Sequence, residues 1–434
     1  MNPAFEASMM PVLSDFELFL LFLKSREKTP LTNDKAVLKS KDLFVLNQEL
    51  HYKTNYVTEK SLQNAYYELD FFFQLSVASK LVYVYRQEKD NYLQINTPRL
   101  ENFDALADAE KYFFLLETSW SYINWPKLSE TRSWYLIEDS LIKILYLVAA
   151  SSPGDVLQVM QHRYIDLGKE KVYFPIVSAA IYAFYFLGFY ELTFDTSFKK
   201  KPDRYIFPVT ELKPTQLGVA FSNTLLEKRP IELWNISYRR DRNEEEMPLG
   251  ITEEQFYIED KKGYLIPNPA PTFETETFLK PFLPLFNPEE LSESLFPLPE
   301  VFTEGTYHFK IALAKDIFRT IAIGAHHTLH NLHEAIQAAY KFDNDHLYAF
   351  YMDNERYSDE RYESPWSEEG PFADAVKIGA LNLYVGQQFL YLFDFGDEWL
   401  FAITLLTIDT TGAAPKTPKI IDKQGKNPKQ YSGW

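Results

Sequence analysis

Histidine and aspartate side chains concentrate near the C-terminal end of the chain. Residues 326–350, HHTLHNLHEAIQAAYKFDNDHLYAF, hold five of its eight histidines, and the later run DFGDEW contributes Asp394 and Asp397. Imidazole and carboxylate groups that converge in one pocket can transfer protons near neutral pH. His333, His346, Asp394 and Asp397 are therefore the candidate catalytic residues of an unconventional, metal-dependent hydrolase.

The spacing of the helical histidines favours a structural role for them. If a helix starts at Thr328, His333 lies at the margin of its apolar face. That position predicts a partly buried histidine hydrogen-bonded to a nearby backbone group or carboxylate. His326 and His330 have the four-residue spacing of metal ligands only if the helix starts earlier, and no third ligand accompanies them. We predict no metal site and no cofactor.

His346 and the aspartates also have two interpretations. The turn-forming residues 343–345 precede His346, which either clamps that turn or pairs with Asp394, Asp397 or Glu398 as an acid/base cluster. The two aspartates flank a glycine between apolar strands, where carboxylates accept backbone N–H bonds and shape a tight turn. A kinase is excluded, because the glycine-rich loop and HRD motif that accompany a DFG aspartate are missing.

A strand-dominated domain must position these side chains. Alternating apolar residues predict strands in YHFKIAL, FRTIAIG, HLYAFYM, QQFLYLFDF and EWLFAITLLTI, with one helix after the second strand. The order β-β-α-β-β-β implies one main helix packed on a mostly antiparallel sheet. The C-terminal part is thus predicted to be an α+β domain.

Two stretches of this domain carry a family resemblance. They are TLHNLHEAIQAAYKFDNDHLYAF and YLFDFGDEWLFAITL, and the matching positions include Leu332-His333, His346-Leu347 and Asp394-Phe395-Gly396-Asp397. The C-terminal part, about residues 307–430, resembles the plasmid pRiA4b ORF-3-like family, also met as passenger proteins of insertion elements. The resemblance implies an α/β-roll domain, found alone or behind a helical N-terminal region, with no established activity. Many members carry cysteines in a glycine- and proline-rich tail, where this chain keeps only Gly-x-x-Pro and Gln-Tyr.

The N-terminal half is predicted to be helix-rich and to repeat one order of elements. Helices in SDFELFLLFLKS, KDLFVLNQEL and residues 57–79 precede a hairpin in KLVYVYRQEKDNYLQIN, which is the order of a winged helix. Further helices are predicted in SWYLIEDSLIKILYLVAA, in GDVLQVMQ, between Pro175 and Gly188, and from Pro214, with two strands bracketing a basic loop. We interpret this second set as another winged-helix-like module.

Basic side chains near the two predicted hairpins are candidate phosphate contacts. They are Lys53, Lys60, Lys80, Arg86 and Lys89 in the first module, and Lys199, Lys200, Lys201 and Arg204 in the second. Winged helices are also common protein-interaction modules, in which case these lysines only solvate the surface. A nucleic acid partner and a protein partner therefore both stay open.

Residues 231–306 differ from their flanks in charge and proline content. They carry 16 acidic and 6 basic side chains and supply much of the chain's net charge of −17. Prolines in PNPAPTFETETFLKPFLPLFNPEE limit regular structure, yet phenylalanines in the same run predict packing onto a neighbour. The net charge disfavours indiscriminate binding to nucleic acid phosphates.

The chain contains no cysteine, which excludes disulfides, thiolate nucleophiles and cysteine-ligated metals. Its first residues lack the basic start of a signal peptide. The uncharged run 172–190 is too short to span a membrane once Pro175 and Gly188 bound its helix. We therefore predict a cytoplasmic protein with no membrane partner.

The predictions combine into an α+β chain with tandem winged-helix-like modules and an α/β-roll domain. The favoured function is a non-enzymatic binding or regulatory protein associated with nucleic acid or mobile elements of bacteria. The alternatives are the hydrolase described above and a structural partner in a protein assembly. The predicted domains are 1–130 and 131–230 for the two modules, 231–306 for an acidic, proline-rich connector, and 307–434 for the α/β roll.

Overall fold

The structure is a computed structural model that describes most of the chain. By its contacts the chain divides into two compact units, Met1–Tyr83 with Asn91–Pro297, and Val84–Asp90 with Leu298–Trp434. The predicted α+β class is confirmed. The described residues are 11–33, 35–87, 90–130, 134–161, 164–166, 171–173, 178–195, 197, 208–242, 244, 247–259, 265–267, 276–287, 289–291, 294–295, 302–358, 360–368, 370–381, 383 and 385–431.

The N-terminal unit is built mainly from helices, with short strands between them. Its helices are α1 Pro11–Lys24, α2 Ser40–Glu49, α3 Tyr67–Ala78, α4 Thr97–Asp104, α5 Asp108–Ser121, α6 Trp125–Leu128, α7 Trp134–Ala149, α8 Ser178–Phe186, α9 Gln216–Lys228, α10 Ile231–Trp234, α11 Ile236–Asp241 and α12 Glu253–Phe256. The strands that precede residue 300 are β1 Thr29–Pro30, β2 Val82–Gln87, β3 Asp90–Ile95, β4 Leu157–Gln158, β5 Tyr164–Asp166, β6 Lys171–Tyr173, β7 Tyr190–Phe194, β8 Val209–Pro214, β9 Tyr257–Glu259 and β10 Leu265–Pro267.

Two three-stranded sheets in this part of the chain have the same strand order. The first is β1-β3-β2 and the second is β4-β8-β7, so in each sheet a two-residue strand pairs with the last strand of the set. The first sheet belongs to the sequence α1-β1-α2-α3-β2-β3, and the second to α7-β4-α8-β7-β8. In the second set the hairpin β5-β6 stands where the first has α2.

Three predicted elements of this region are wrong in type or extent. GDVLQVMQ contains β4 rather than a helix, because Leu157 and Gln158 pair with β8. The helix predicted for 57–79 begins only at Tyr67, since a turn closed by the Ser61 hydroxyl precedes it. Pro214 ends β8, and the Thr215 hydroxyl caps α9 instead.

The uncharged run 172–190 contains the buried helix α8, which is followed by Gly188 with a positive φ of 76°. Residues 174–177, which precede this helix within the run and include Pro175, lie outside the described residues. In the described part of the chain, no helix is long and apolar enough to cross a membrane.

Helices α3 and α8 occupy equivalent places in the two sets and pack against each other. The Tyr67 and Tyr182 rings stack with centroids 4.1 Å apart, and the Phe71 and Phe186 rings lie 6.3 Å apart. Both helices bury most of their described side chains. A helix that is apolar on nearly all sides is buried, which explains why neither sequence shows a clear polar face.

The proline-rich run after Thr277 packs into the N-terminal unit through its phenylalanines. Phe282 is fully buried, with its ring 5.3 Å from both Phe113 and Phe221. Arg229 fixes the start of this run by donating hydrogen bonds to the carbonyls of Thr277 and Phe278. The segment therefore contributes apolar area to the core although it is only a 3-10 helix there.

The C-terminal domain is one antiparallel sheet with a helix on one face. The strands are ordered β14-β13-β15-β16-β11-β12-β17, and every pair between neighbours is antiparallel. The five predicted strands and the helix are confirmed, and two short edge strands are added. The elements are β11 Thr306–Ala314, β12 Ile317–Gly324, α13 Leu329–Tyr340, β13 Tyr348–Tyr351, β14 Arg361–Glu363, β15 Gln388–Phe393, β16 Trp399–Asp409 and β17 Lys419–Gln424.

Candidate functional site

Helix α13 begins where the sequence predicted. The Thr328 hydroxyl accepts the backbone N–H of Asn331, and the Asn331 side chain accepts the backbone N–H of Thr328. Because the helix starts at Leu329, His326 lies outside it and cannot form a helical pair with His330. His326 instead lies within 2.9 Å of Glu304 on the surface.

His333 lies fully inside the domain, deeper than its predicted place at the margin of the apolar face. Its ring stacks on the ring of Tyr348 with centroids 3.8 Å apart and planes 11° apart. Its Nδ1 is 2.6 Å from the Tyr391 hydroxyl, and its Nε2 is 2.8 Å from Asn344 Oδ1. The partners are two side chains on other elements rather than the backbone group or carboxylate that we expected.

The hydrogen-bond directions around His333 follow from the donors available. An amide oxygen only accepts, so His333 Nε2–H must donate to Asn344, which leaves Nδ1 as the acceptor in a neutral ring. Tyr391 O–H therefore donates to Nδ1, and the Tyr391 oxygen accepts from Gln337 Nε2 at 2.7 Å. Gln337, Tyr391, His333 and Asn344 form one directed chain in the core, which we call the histidine network.

Burial fixes the charge state of this histidine. Desolvation, aided by nearby His330, lowers the pKa of His333 to about 3, against a smaller opposite effect of the Asn344 hydrogen bond. A ring with this pKa is neutral at physiological pH. With both nitrogens already bonded, His333 offers neither a free base nor a free metal-ligating lone pair.

His346 and Asp394 form a separate, partly exposed pair. His346 Nε2 lies 3.4 Å from Asp394 Oδ2 and 3.8 Å from Asp345 Oδ1, and its side chain is 43% exposed. Asp394 is buried and has a left-handed φ of 59°. Its Oδ1 accepts the backbone N–H groups of Gly396 and Asp397 at 2.9 and 3.2 Å. The Asp394 carboxylate thus shapes the turn and approaches His346 through its second oxygen.

The four candidate catalytic residues do not share one set of contacts. His346 and Asp394 come together, His333 belongs to the histidine network, and Asp397 is exposed with only its backbone N–H in the turn. Across the described residues, no three histidine or carboxylate side chains are placed to hold a metal ion. The arrangement offers one histidine–carboxylate pair rather than a four-residue centre.

His330 connects the histidine network to the surface. Its Nδ1 is 2.7 Å from the hydroxyl of Tyr348, whose ring stacks on His333. The ring edge of His330 meets Trp366 with centroids 5.5 Å apart, and Trp366 is 66% exposed. An exposed tryptophan beside a buried polar chain is typical of a contact surface, although isolated exposed aromatic residues are also common.

The C-terminal tail is held to the domain by hydrogen bonds. Buried Arg319 donates to the carbonyls of Gln424 and Gly425 and to the side chain of Asn427. The Gln430 side chain donates to the Asp343 carbonyl and accepts the Asp343 backbone N–H. The retained Gly-x-x-Pro and Gln-Tyr features therefore fasten the tail to the domain and to the turn before His346.

The predicted phosphate contacts fall into two groups. Lys53, Lys60 and Lys80 are exposed in the N-terminal unit. Arg86 lies in β2, but its side chain lies outside the described part of the chain. The remaining five candidates also fall outside the described residues: Lys89, Lys199, Lys200, Lys201 and Arg204.

Sequence reasoning missed the partners that complete the histidine network. Tyr391 lies on β15, 58 positions from His333 along the chain. Gln337 lies on α13, one helical turn after His333. A polar residue in the apolar face of the helix, four positions after the histidine, was the one signal for Gln337. No local pattern identifies Tyr391, because an inward-facing tyrosine on a strand resembles any other core aromatic residue.

Comparison with known proteins finds a family match in the C-terminal part of the chain. Residues 306–433 match the family described as plasmid pRiA4b ORF-3-like protein. The predicted resemblance of the C-terminal domain is thereby confirmed. A crystal structure of a protein of unknown function, MM3350 from Methanosarcina mazei Go1, is 24% identical; the match covers 29% of this chain and 72% of that chain, with a TM-score of 0.25. No curated protein matches the chain.

Proposed function

We propose that this chain is a non-enzymatic binding protein whose N-terminal unit is a tandem of winged-helix-like modules. The carrying observation is the repeated sheet order, β1-β3-β2 and β4-β8-β7, with an equivalent helix before the hairpin of each set. Modules of this order are used for binding rather than for chemistry. The pRiA4b ORF-3-like domain adds a second folded unit, and its family resemblance suggests a setting around mobile elements, while the lack of cysteine favours the cytoplasm.

The packing of α3 on α8 restricts how such a protein could bind nucleic acid. In helix-turn-helix proteins the recognition helix enters the major groove. Here the equivalent helices bury their faces against each other through Tyr67 and Tyr182. Nucleic acid binding would then rest on phosphate contacts from exposed lysines, which position a protein on a duplex without reading bases. Our proposal is therefore sequence-independent binding through Lys53, Lys60 and Lys80.

Duplex binding measured against salt tests this proposal. We expect measurable affinity for a 30-base-pair duplex at about 50 mM salt and a steep loss by about 200 mM. Replacing Lys53, Lys60 and Lys80 with glutamine should reduce the slope of log affinity against log salt by about 2 to 3, since each phosphate contact contributes about 0.9. The matched control replaces three exposed lysines of the C-terminal domain, Lys341, Lys419 and Lys423, and should leave the slope unchanged.

Two results would count against nucleic acid as the partner. One is no binding at about 50 mM salt. The other is equal slopes for the two triple variants, which would assign any attraction to general charge. After either result, the proposed binding function would concern a protein partner instead of nucleic acid.

A hydrolase is the second candidate, favoured by the His346–Asp394 pair alone. A half-exposed imidazole 3.4 Å from a buried carboxylate has the geometry of an oriented general base. The test is hydrolysis of p-nitrophenyl acetate and p-nitrophenyl phosphate, with and without Mg²⁺, Mn²⁺ or Zn²⁺. Activity that falls at least 100-fold in His346→Ala, and not in His326→Ala, would support this candidate. Equal rates in both variants and the parent would remove it.

A further inference from the structure

A buried glutamate lies on α3, at its contact with α8. Glu68 is 1% exposed, and among the described residues no N–H or O–H group donates to either of its carboxyl oxygens. An ionised carboxylate without donors is costly to bury, whereas a protonated acid is far less so. The position therefore selects the neutral form of this side chain.

The groups that face Glu68 are acidic or neutral. Asp15 on α1 is also buried, and its carboxylate accepts the backbone N–H groups of His51 and Tyr52 at 2.8 to 3.1 Å. Burial, then the negative charge of Asp15, and then a hydrogen bond from protonated Glu68 to Asp15 raise the pKa of Glu68 well above its ordinary value. Two backbone N–H groups, of His51 and Tyr52, donate to the Asp15 carboxylate and none in the described part of the chain donates to Glu68, so the proton belongs on Glu68.

Two tyrosines complete the surroundings from the other packed elements. The Tyr52 ring lies 5.0 Å from the Tyr185 ring of α8, and the charge of Glu68 acts on both phenols. Burial first, then Glu68 and Glu191, raise the pKa of Tyr185 to about 12. Among the described residues, no lysine, arginine or histidine side chain forms an ion pair with Glu68 or Asp15, so ionised Glu68 would lack a counterion.

We propose that Glu68 is a proton-operated latch at the contact between α3 and α8. In its neutral form it allows the two helices to pack through Tyr67–Tyr182 and Phe71–Phe186. Loss of its proton places a second negative charge beside Asp15 in a buried site and separates the helices. The proton is the ligand, and the affinity of the site for it is coupled to the packing of the two modules.

The sign of the pH effect follows from the raised pKa. A group with a higher pKa in the folded state contributes stability that is complete below its unfolded pKa. That stability is lost as pH rises through the folded pKa. The contact between α3 and α8 is therefore expected to be tightest in mild acid and to open on alkalinisation.

Hydrogen exchange of the whole chain tests the latch, with rates corrected for the intrinsic effect of pH. From pH 5 to pH 9 we expect protection of residues 67–78 and 178–186 to fall at least tenfold, while α9, Gln216–Lys228, stays protected. Glu68→Gln, which resembles the neutral acid, should keep protection constant. Glu101→Gln, at an exposed position on α4, should behave like the parent.

Three results would overturn the latch. One is the same pH dependence in Glu68→Gln as in the parent. Another is an equal loss of protection in α9, which would show unfolding of the whole unit. If Glu68→Gln does not fold, a carbon-13 titration of the parent's glutamate carboxyls decides the matter. Burial also raises the pKa of Glu117, to about 7, so Glu117→Gln is used to assign that signal. The latch requires a second glutamate that titrates well above the exposed ones as α3 loses protection, and its absence would contradict the proposal.

Discussion

Each unit contains a buried ionisable group that is held in its neutral form, yet the two groups respond to pH in opposite directions. His333 in the C-terminal domain is kept neutral by a lowered pKa, and Glu68 in the N-terminal unit by a raised pKa. Burial is the largest cause in both cases, because a low-dielectric interior favours whichever form is uncharged. Acidification is therefore expected to destabilise the C-terminal domain first, and a rise in pH is expected to destabilise the N-terminal unit first.

The two sites differ in how their polar atoms are satisfied. His333 bonds through both ring nitrogens to Tyr391 and Asn344, whereas no donor among the described residues bonds to the Glu68 oxygens. A buried network with its members bonded makes a core rigid and specific. A buried acid without donors is tolerated while it is protonated, and its deprotonation makes burial costly and so favours opening of the contact. The first arrangement suits a structural core, and the second suits a device that opens.

Removing His333 should give the largest effect on the C-terminal domain. His333→Ala deletes a fully buried ring stacked on Tyr348 and leaves Tyr391 and Asn344 without their partner. We expect a loss of about 3 to 5 kcal/mol in the free energy of unfolding, measured by urea denaturation with domain-resolved hydrogen exchange. His326→Ala, an exposed histidine, should cost less than about 0.5 kcal/mol. Similar values for the two variants would show that the network does not stabilise the domain.

Acidification tests the difference between the units directly. The unfolded chain binds a proton at His333 below about pH 6.5, whereas the folded domain resists protonation down to a pKa of about 3. Stability then falls with pH, and linkage gives about 2 kcal/mol lost at this site between pH 7 and pH 5. His333→Gln should lack this contribution, so its difference from the parent should shrink as the pH falls. A constant difference would mean that His333 does not titrate on unfolding.

A smaller effect is expected when the centre of the histidine network is altered without making a cavity. Tyr391→Phe keeps the ring but removes the hydroxyl that donates to His333 and accepts from Gln337. The unpaired groups should cost about 1 to 2 kcal/mol in the free energy of unfolding. Tyr146→Phe, at an exposed position of α7, is the control and should change stability by less than about 0.5 kcal/mol. A neutral Tyr391→Phe would show that the directed hydrogen-bond chain is energetically unimportant.

The same contrast explains what the sequence could predict. The start of α13 and the five main strands follow from a threonine cap and from alternating apolar residues, which are local signals. The partners of His333 depend on which strand faces the helix, and the environment of Glu68 depends on the packing of α8 on α3. These are tertiary contacts between distant parts of the chain, which a local stretch of sequence does not reveal. The helix predicted for GDVLQVMQ was wrong for the same reason, because the pairing of Leu157 with β8 overrides a weak helical pattern.

The smallest predicted effect concerns the tail, which joins the turn before His346 to the rest of its domain. Gln430→Ala removes the bonds to the backbone of Asp343 at an intermediate-burial position, and should cost about 0.5 to 1 kcal/mol. The loss should appear as faster hydrogen exchange in residues 343–346, with Lys429→Ala as the exposed control. Because His346 reaches Asp394 across this turn, a loosened turn should also weaken that pair. Unchanged exchange in residues 343–346 would mean that the tail does not order the turn, and that the His346–Asp394 geometry is set by the strands alone.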